Sequence, residues 1–165
     1  IKKVSVDKEG TGMGWGAVYA QYLESMDQIS GQGNGLSVSR QLYKGDEALN
    51  ESAPLKVGDK ITVRLTVKAD RDMDFVQIKD DRAACMEPLQ AVSGFRWSNG
   101  LGYYQATKDA STQFFIDQMR KGTYVIEYQV YVNRTGEYQA GIATVQSAYA
   151  PEFGGHTGGY RVMVE

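Results

Sequence analysis

Hydrophobic and polar positions alternate along most of this chain, and the alternation has the period of a strand. Over residues 122–132, Tyr124, Ile126, Tyr128, Val130 and Val132 fall on one face, with Glu127 and Gln129 on the other. Residues 61–69 repeat the pattern most cleanly: Ile61, Val63, Leu65 and Val67 form an apolar face against Thr62, Arg64, Thr66 and Lys68. Leu36, Val38, Arg40 and Leu42 begin the series, and Val76 and Ile78 form the inward face of 74–80. Residues 103–107 and 112–116 predict a short hairpin, and 160–164 a closing strand. Lys56-Val57-Gly58-Asp59 predicts one turn, and Asn133-Arg134-Thr135-Gly136 another, leading from the 122–132 strand to its expected partner. Residues 81–102 read as loop around Pro88 and Trp97. Strands at this spacing, with almost no helical period, predict an all-β antiparallel sandwich.

The first 35 residues differ in character. In residues 15–23, Trp15, Ala17, Tyr19, Gln21 and Leu23 alternate with Val18, Ala20 and Tyr22, which suits a strand covered on both faces. Tyr19, Tyr22, Leu23 and Met26 would equally line a helix; the aromatic and Gly content favours a strand through Tyr22, followed by a turn or short helical piece. Gly31-Gln32-Gly33-Asn34-Gly35 reads as a linker. The expected division is therefore 1–35 as the end of a preceding domain with its linker, packed on the sandwich or paired with another copy, and 36–165 as the sandwich. At Lys121-Gly122-Thr123-Tyr124, a Gly two residues before a Tyr fits a tyrosine corner, the phenol bonding back to the preceding loop; a core Tyr with its hydroxyl at the rim fits as well.

Composition narrows the function classes. The net charge is −2, and Arg64, Lys68, Arg71 and Lys79 are interleaved with acids, so no basic stripe points to nucleic acid or an anionic membrane. Cys85 is the only cysteine, which excludes an internal disulfide and a cysteine-only zinc site. No apolar run approaches the roughly 18 residues of a membrane span.

Candidate chemistry is sparse. Asp70-Arg71-Asp72-Met73-Asp74, with Asp81 at the twelfth position, imitates a calcium loop, but Phe75 stands where a Gly is needed. The glycine runs 10–16 and 31–35 lack the strand, helix and Lys of a phosphate loop. A Cys85–His156 dyad has no local activating signature, so an inert thiol and a loop His are the better reading. Asp80 and Asp81 are adjacent and point to opposite faces of a strand, which suits no paired-carboxylate hydrolase. Asn50-Glu51-Ser52 and Asn133-Arg134-Thr135 are formal glycosylation sequons. Trp97, Tyr103 and Tyr104 could form a platform for sugar rings, making a carbohydrate-binding or adhesin-type module the rival reading; packing of a long loop over the sandwich is preferred. No catalytic, cofactor-binding or metal-ligating residue is assigned.

Several segments together resemble the C-terminal end of bacterial alpha-2-macroglobulin-like proteins. They are WGAVYAQY (15–22), LSVSRQLY (36–43), LKVGDKITVRLTVKADRDMDFVQIKD (55–80), GTYVIEYQVYV (122–132) and SAYAPEFGGHTG (147–158). The resemblance implies an immunoglobulin-like macroglobulin domain at the end of a large protease-trapping envelope protein, periplasmic or on the cell surface. Its partners would be the other domains of that protein, above all a thioester-type domain, and proteases only through the full-length molecule. It implies neither nucleic-acid binding nor membrane insertion by this domain. The thioester signature Cys-x-Glu-Gln is absent, since Met86-Glu87-Pro88 follows Cys85, and no bait region is recognisable. The resemblance is sharpest at Tyr149-Ala150-Pro151-Glu152, and Tyr149, Pro151 and Glu152 are the candidate interdomain contact. Tyr149 merely ending a strand at the sandwich rim fits equally well.

Overall fold

Apolar alternation is converted into two packed layers. A computed structural model describes residues 3–50 and 53–165. In chain order the strands are β1 (Gln32–Asn34), β2 (Leu36–Lys44), β3 (Glu47–Ala48), β4 (Lys60–Ala69), β5 (Met73–Asp81), β6 (Met86–Pro88) and β7 (Gly94–Ser98). They continue as β8 (Leu101–Thr107), β9 (Ser111–Met119), β10 (Gly122–Val132), β11 (Gly136–Ala140), β12 (Ala143–Ser147), β13 (Gly154–His156) and β14 (Tyr160–Val164). One layer runs β6-β10-β4-β2, with β3 on the end of β2; the other runs β13-β12-β5-β9-β8-β7. Strand β1 pairs with both β2 and β13 and so joins the layers along one side. A separate pair, β11-β14, touches the rest through a parallel bridge between Leu55 and Val164; every strand-to-strand pairing is antiparallel.

The expected core faces are in place. Ile61, Val63, Leu65 and Val67 of β4 are buried, and Leu65 lies opposite the buried Ile126 of β10. From the second layer, the Phe114 ring reaches to 5.9 Å from Tyr128 and 5.7 Å from Tyr103. Val76 and Ile78 point inward, β8 and β9 form the expected hairpin, and β14 closes the chain.

Three expectations need correction. Residues 31–35 are not a linker, because Gln32–Asn34 is strand β1. The glycines serve close backbone approach there: a Cβ on Gly155 would lie 2.7 Å from the carbonyl oxygens of both Gln32 and Leu36. The turn after Val132 does not lead β10 to its partner, because β10 is flanked by β4 and β6, while the following run splits into β11, paired with β14, and β12, paired with β5. Residues 81–102 hold two short strands, and Trp97 lies on one of them, β7.

The N-terminal segment is the largest departure. A 3-10 turn forms at Met26–Gln28, and Asp27 ion-pairs with Arg161 of β14 at 2.7 Å. Upstream, residues 15–22 form no strand and do not pack on the sandwich; Trp15 is 89% and Tyr19 92% exposed. The physical reason lies in the pattern: apolar residues on both faces require cover on both sides, and no strand among the described residues supplies it.

One inward position of β2 is charged. The Arg40 side chain, 5% exposed, meets Asp80 of β5, 1% exposed, at 2.5 Å across the sandwich. Arg40 also donates to the carbonyl of Gly141 at 2.5 Å and stands over the Tyr160 ring at 4.7 Å. The Tyr128 hydroxyl of β10 donates to the second Asp80 oxygen at 2.7 Å. Burial works against the Arg40 charge, yet the Asp80 carboxylate holds the guanidinium above the ordinary arginine value. Beside this network Arg82 donates to Thr112 Oγ1 at 2.6 Å and to the Asp109 carbonyl at 2.8 Å, fastening the β8-β9 turn.

Tyr124 Oη donates to the Arg120 carbonyl at 3.1 Å, the bond of a tyrosine corner. Thr135-Gly136-Glu137-Tyr138 repeats the arrangement, with Tyr138 Oη donating to the Thr135 carbonyl at 2.7 Å. In equilibrium denaturation, Leu65→Ala or Ile126→Ala is expected to cost roughly 2–5 kcal/mol. Tyr124→Phe is expected to cost about 1 kcal/mol, and Thr66→Ser almost nothing. An unchanged midpoint for Leu65→Ala would contradict the β4 register. Arg40→Met leaves Asp80 buried without its counter-charge and is expected to cost about 3–5 kcal/mol in the same measurement.

Candidate docking surface

The segment after β12 is built as a rigid turn. Phe153 N–H donates to the Ala150 carbonyl at 2.9 Å, and Ser147 N–H to the Phe153 carbonyl at 3.0 Å. Asn34 Nδ2 donates to the Glu152 carbonyl at 2.8 Å, Gln146 Nε2 to the Pro151 carbonyl at 3.3 Å, and the Arg71 guanidinium stands 4.6 Å from the Phe153 ring centre. Every one of these ties uses backbone or Phe153, so the side chains of Tyr149, Pro151 and Glu152 remain exposed. Tyr149 is 79% exposed, and its ring meets Phe75 edge-on at 5.1 Å.

Phe75 is the feature that reading the sequence missed. Its φ is 53°, in the left-handed region that a bulky residue avoids at a cost of roughly 1–2 kcal/mol. The residue is nevertheless 48% exposed, so burial does not offset the strain. The Phe75 carbonyl accepts from Ala148 N–H at 2.9 Å, which locks the strained residue to the root of the turn. Strain held at an exposed aromatic pair is a mark of a functional surface. A signal was available: with Val76 and Ile78 inward, Phe75 had to project outward.

The same outer layer carries further outward-facing rings. Phe115 of β9 lies opposite Tyr104 of β8, and Tyr104 opposite Phe95 of β7, whose ring it meets edge-on at 5.1 Å. Trp97, 77% exposed, lies across Gly102, where a Cβ would come within 2.9 Å of the indole. Of the three rings of the rival sugar platform, Trp97 and Tyr104 share the outer face, while Tyr103 faces the other way and is buried against Phe114.

The other candidates come apart. Cys85 is buried, and burial pushes its thiol up; His156 sits on β13 with Nδ1 3.0 Å from the Thr157 carbonyl, separated from β6 in the strand order by β10, β4, β2 and β1. Asp70 pairs with Arg71 at 2.8 Å, and Asp72 accepts from Lys121 N–H at 2.7 Å, so the acids of 70–81 do not converge. Asp80 serves the buried network, while Asp81 faces Lys79 at 2.9 Å. Asn133 of the second sequon donates to Glu87 at 3.3 Å with its amide oxygen buried; residues 51–52 of the first lie outside the described residues. Among the described residues no group of three His, Cys, Asp or Glu side chains could hold a metal ion, and no helix is long and apolar enough to cross a membrane.

Comparison with known proteins agrees with this architecture. Residues 35–152 match the bacterial alpha-2-macroglobulin MG10 domain. Native Escherichia coli alpha-2-macroglobulin, from domain MG7 to its C-terminus, superposes with a TM-score of 0.70 at 16% identity, over 84% of this chain and 25% of that one. Salmonella alpha-2-macroglobulin reacted with methylamine gives a TM-score of 0.68 at 20% identity, over 83% of this chain and 10% of that one. A similar sequence occurs in circularly permutated Ras protein 2 of Dictyostelium discoideum, 27% identical over 96% of this chain but only 4% of that protein. The chain thus spans a small part of each relative. An antiparallel, immunoglobulin-like sandwich with residues 35–152 matched to the domain model makes this chain a member of the bacterial alpha-2-macroglobulin MG10 domain family.

Proposed function

We propose that this chain is a non-catalytic structural and interaction module of a larger protease-trapping protein of the bacterial cell envelope. In this reading it docks through Tyr149, Pro151 and Glu152 onto a neighbouring domain of that protein, the thioester-type domain by family resemblance. The observation that carries the reading is the strained, half-exposed Phe75 holding an exposed Tyr149 on a turn fixed by backbone bonds. Rigid aromatics beside a proline lose little entropy on docking, and exposed aromatic pairs are the common anchors of protein interfaces. The uncovered apolar residues of 15–23 support the same reading, since they suit the end of a neighbouring domain better than a free tail. Entrapment requires a bait segment and a cage of several domains, which a chain of this kind does not provide by itself.

Two results are expected. The isolated 165-residue chain inhibits no protease in a panel titrated to stoichiometric excess; stoichiometric inhibition would overturn the passive-module reading. In hydrogen–deuterium exchange, amides of 148–153 exchange about tenfold or more slowly in the larger protein than in the isolated chain. Equal exchange in the two forms would remove the docking assignment.

A further inference from the structure

Between β10 and the β7-β8 hairpin lies a hollow of about 330 Å³, at the small end of the roughly 300–1,000 Å³ typical of ligand sites. Tyr103 and Gln105 line it from inward positions of β8, and each is only 6% exposed. Among the described residues neither the Tyr103 hydroxyl nor the Gln105 amide has a hydrogen-bond partner, yet neither is sealed inside the protein. A buried amide without partners works against folding, and in native proteins such a group is met by water or by a ligand. Burial pushes the Tyr103 phenol up, so it stays protonated and able to donate. Gln90 and Gln129 bring further side-chain amides to the rim.

The charged groups of the hollow are already engaged. Arg96 and Glu127 line it, one of each sign; Glu127 pairs with Arg64 at 2.5 Å, and Arg96 donates to the Phe95 and Val92 carbonyls at 3.4 Å each. The uncommitted groups are neutral: the Tyr103 phenol and the amides of Gln90, Gln105 and Gln129. Phenol and amide both donate and accept, as sugar hydroxyls do. The backbone around the hollow is largely spent. Gln105 lies between Gly94 of β7 and Phe114 of β9, and the carbonyls of Val125 and Gln129, on either side of Glu127, accept from Asn99 Nδ2 and Leu89 N–H. A ligand there meets side chains and not the backbone ladder that holds an extended peptide. We propose that this hollow binds a short neutral saccharide, with Tyr103 and Gln105 bonding to its hydroxyls at the floor and Gln90 and Gln129 at the rim. The site is separate from the outward Trp97 and Tyr104 rings on the other face of the hairpin, and it does not depend on the docking of the Tyr149 turn.

The test is an NMR titration of the chain with maltose, cellobiose and N,N′-diacetylchitobiose, followed through the side-chain amide signals of Gln105 and Gln129. At least one of the three is expected to bind with a Kd of about 1 mM or tighter and to shift both signals. Gln105→Leu puts an apolar group of similar size in place of the amide; it is expected to keep or raise the thermal midpoint while weakening binding about tenfold or more. Tyr103→Phe is expected to weaken binding about threefold or more, and Trp97→Ala to leave it unchanged. Binding of none of the three saccharides would overturn the proposal and leave the hollow to water. A lowered midpoint with unchanged binding in Gln105→Leu would make the amide a structural group and overturn it as well. Binding abolished by Trp97→Ala but kept in Gln105→Leu would move the sugar to the outer rings. Gln105-dependent binding of acetate or trialanine without any sugar would reassign the hollow to anions or peptides. Each of these failures leaves the Tyr149 docking reading standing.

Discussion

A single charge pair ties the two layers together in their interior. Arg40 on β2 and Asp80 on β5 are each almost wholly removed from water, and each is satisfied by groups from other strands: the Gly141 carbonyl ahead of β12 and the Tyr128 hydroxyl of β10. A buried guanidinium and carboxylate left unpaired would be costly, which adds to close packing in favouring the arrangement that pairs them. The pair therefore sets how β5 and β12 lie over β2 and β10. Strands β5 and β12 in turn carry Phe75 and the root of the Tyr149 turn. The proposed docking surface thus depends on a contact buried beneath it.

That surface departs from what folding alone would choose. A bulky residue with positive φ, an aromatic left half in water and a tyrosine exposed on a fixed turn each oppose or ignore the local preferences of the chain. They concentrate at one place, where β5 leads toward the aromatic outer faces of β9, β8 and β7.

The long strands were legible because each has one face in the core, so alternation records burial directly; β4 and β10 are the clearest cases. The short strands β1, β6 and β13 were not, since Gln32-Gly33-Asn34, Met86-Glu87-Pro88 and Gly154-Gly155-His156 pair through backbone and show no alternating apolar face. Gly-rich pairing looks like a linker in sequence, and Pro88 disguises an edge strand. Strand partners are a matter of topology, which explains the misplaced partner of β10. Arg40 was visible at an inward position of β2, but nothing local named Asp80 as its counter-charge. Tyr149 was reached through family resemblance, while the backbone strain at Phe75 has no signature in residue types.

On the proposed docking role, Phe75 and Tyr149 are kept for an encounter and contribute little to the fold. The most direct test is the unfolding free energy of the Phe75→Gly/Tyr149→Ser double variant of the isolated chain. Relief of the positive φ offsets the lost ring contact, of the order of 1 kcal/mol each, so stability is expected to stay within about 1 kcal/mol of wild type. A loss of about 3 kcal/mol or more would show that the pair is a structural element of the sandwich and would contradict the account.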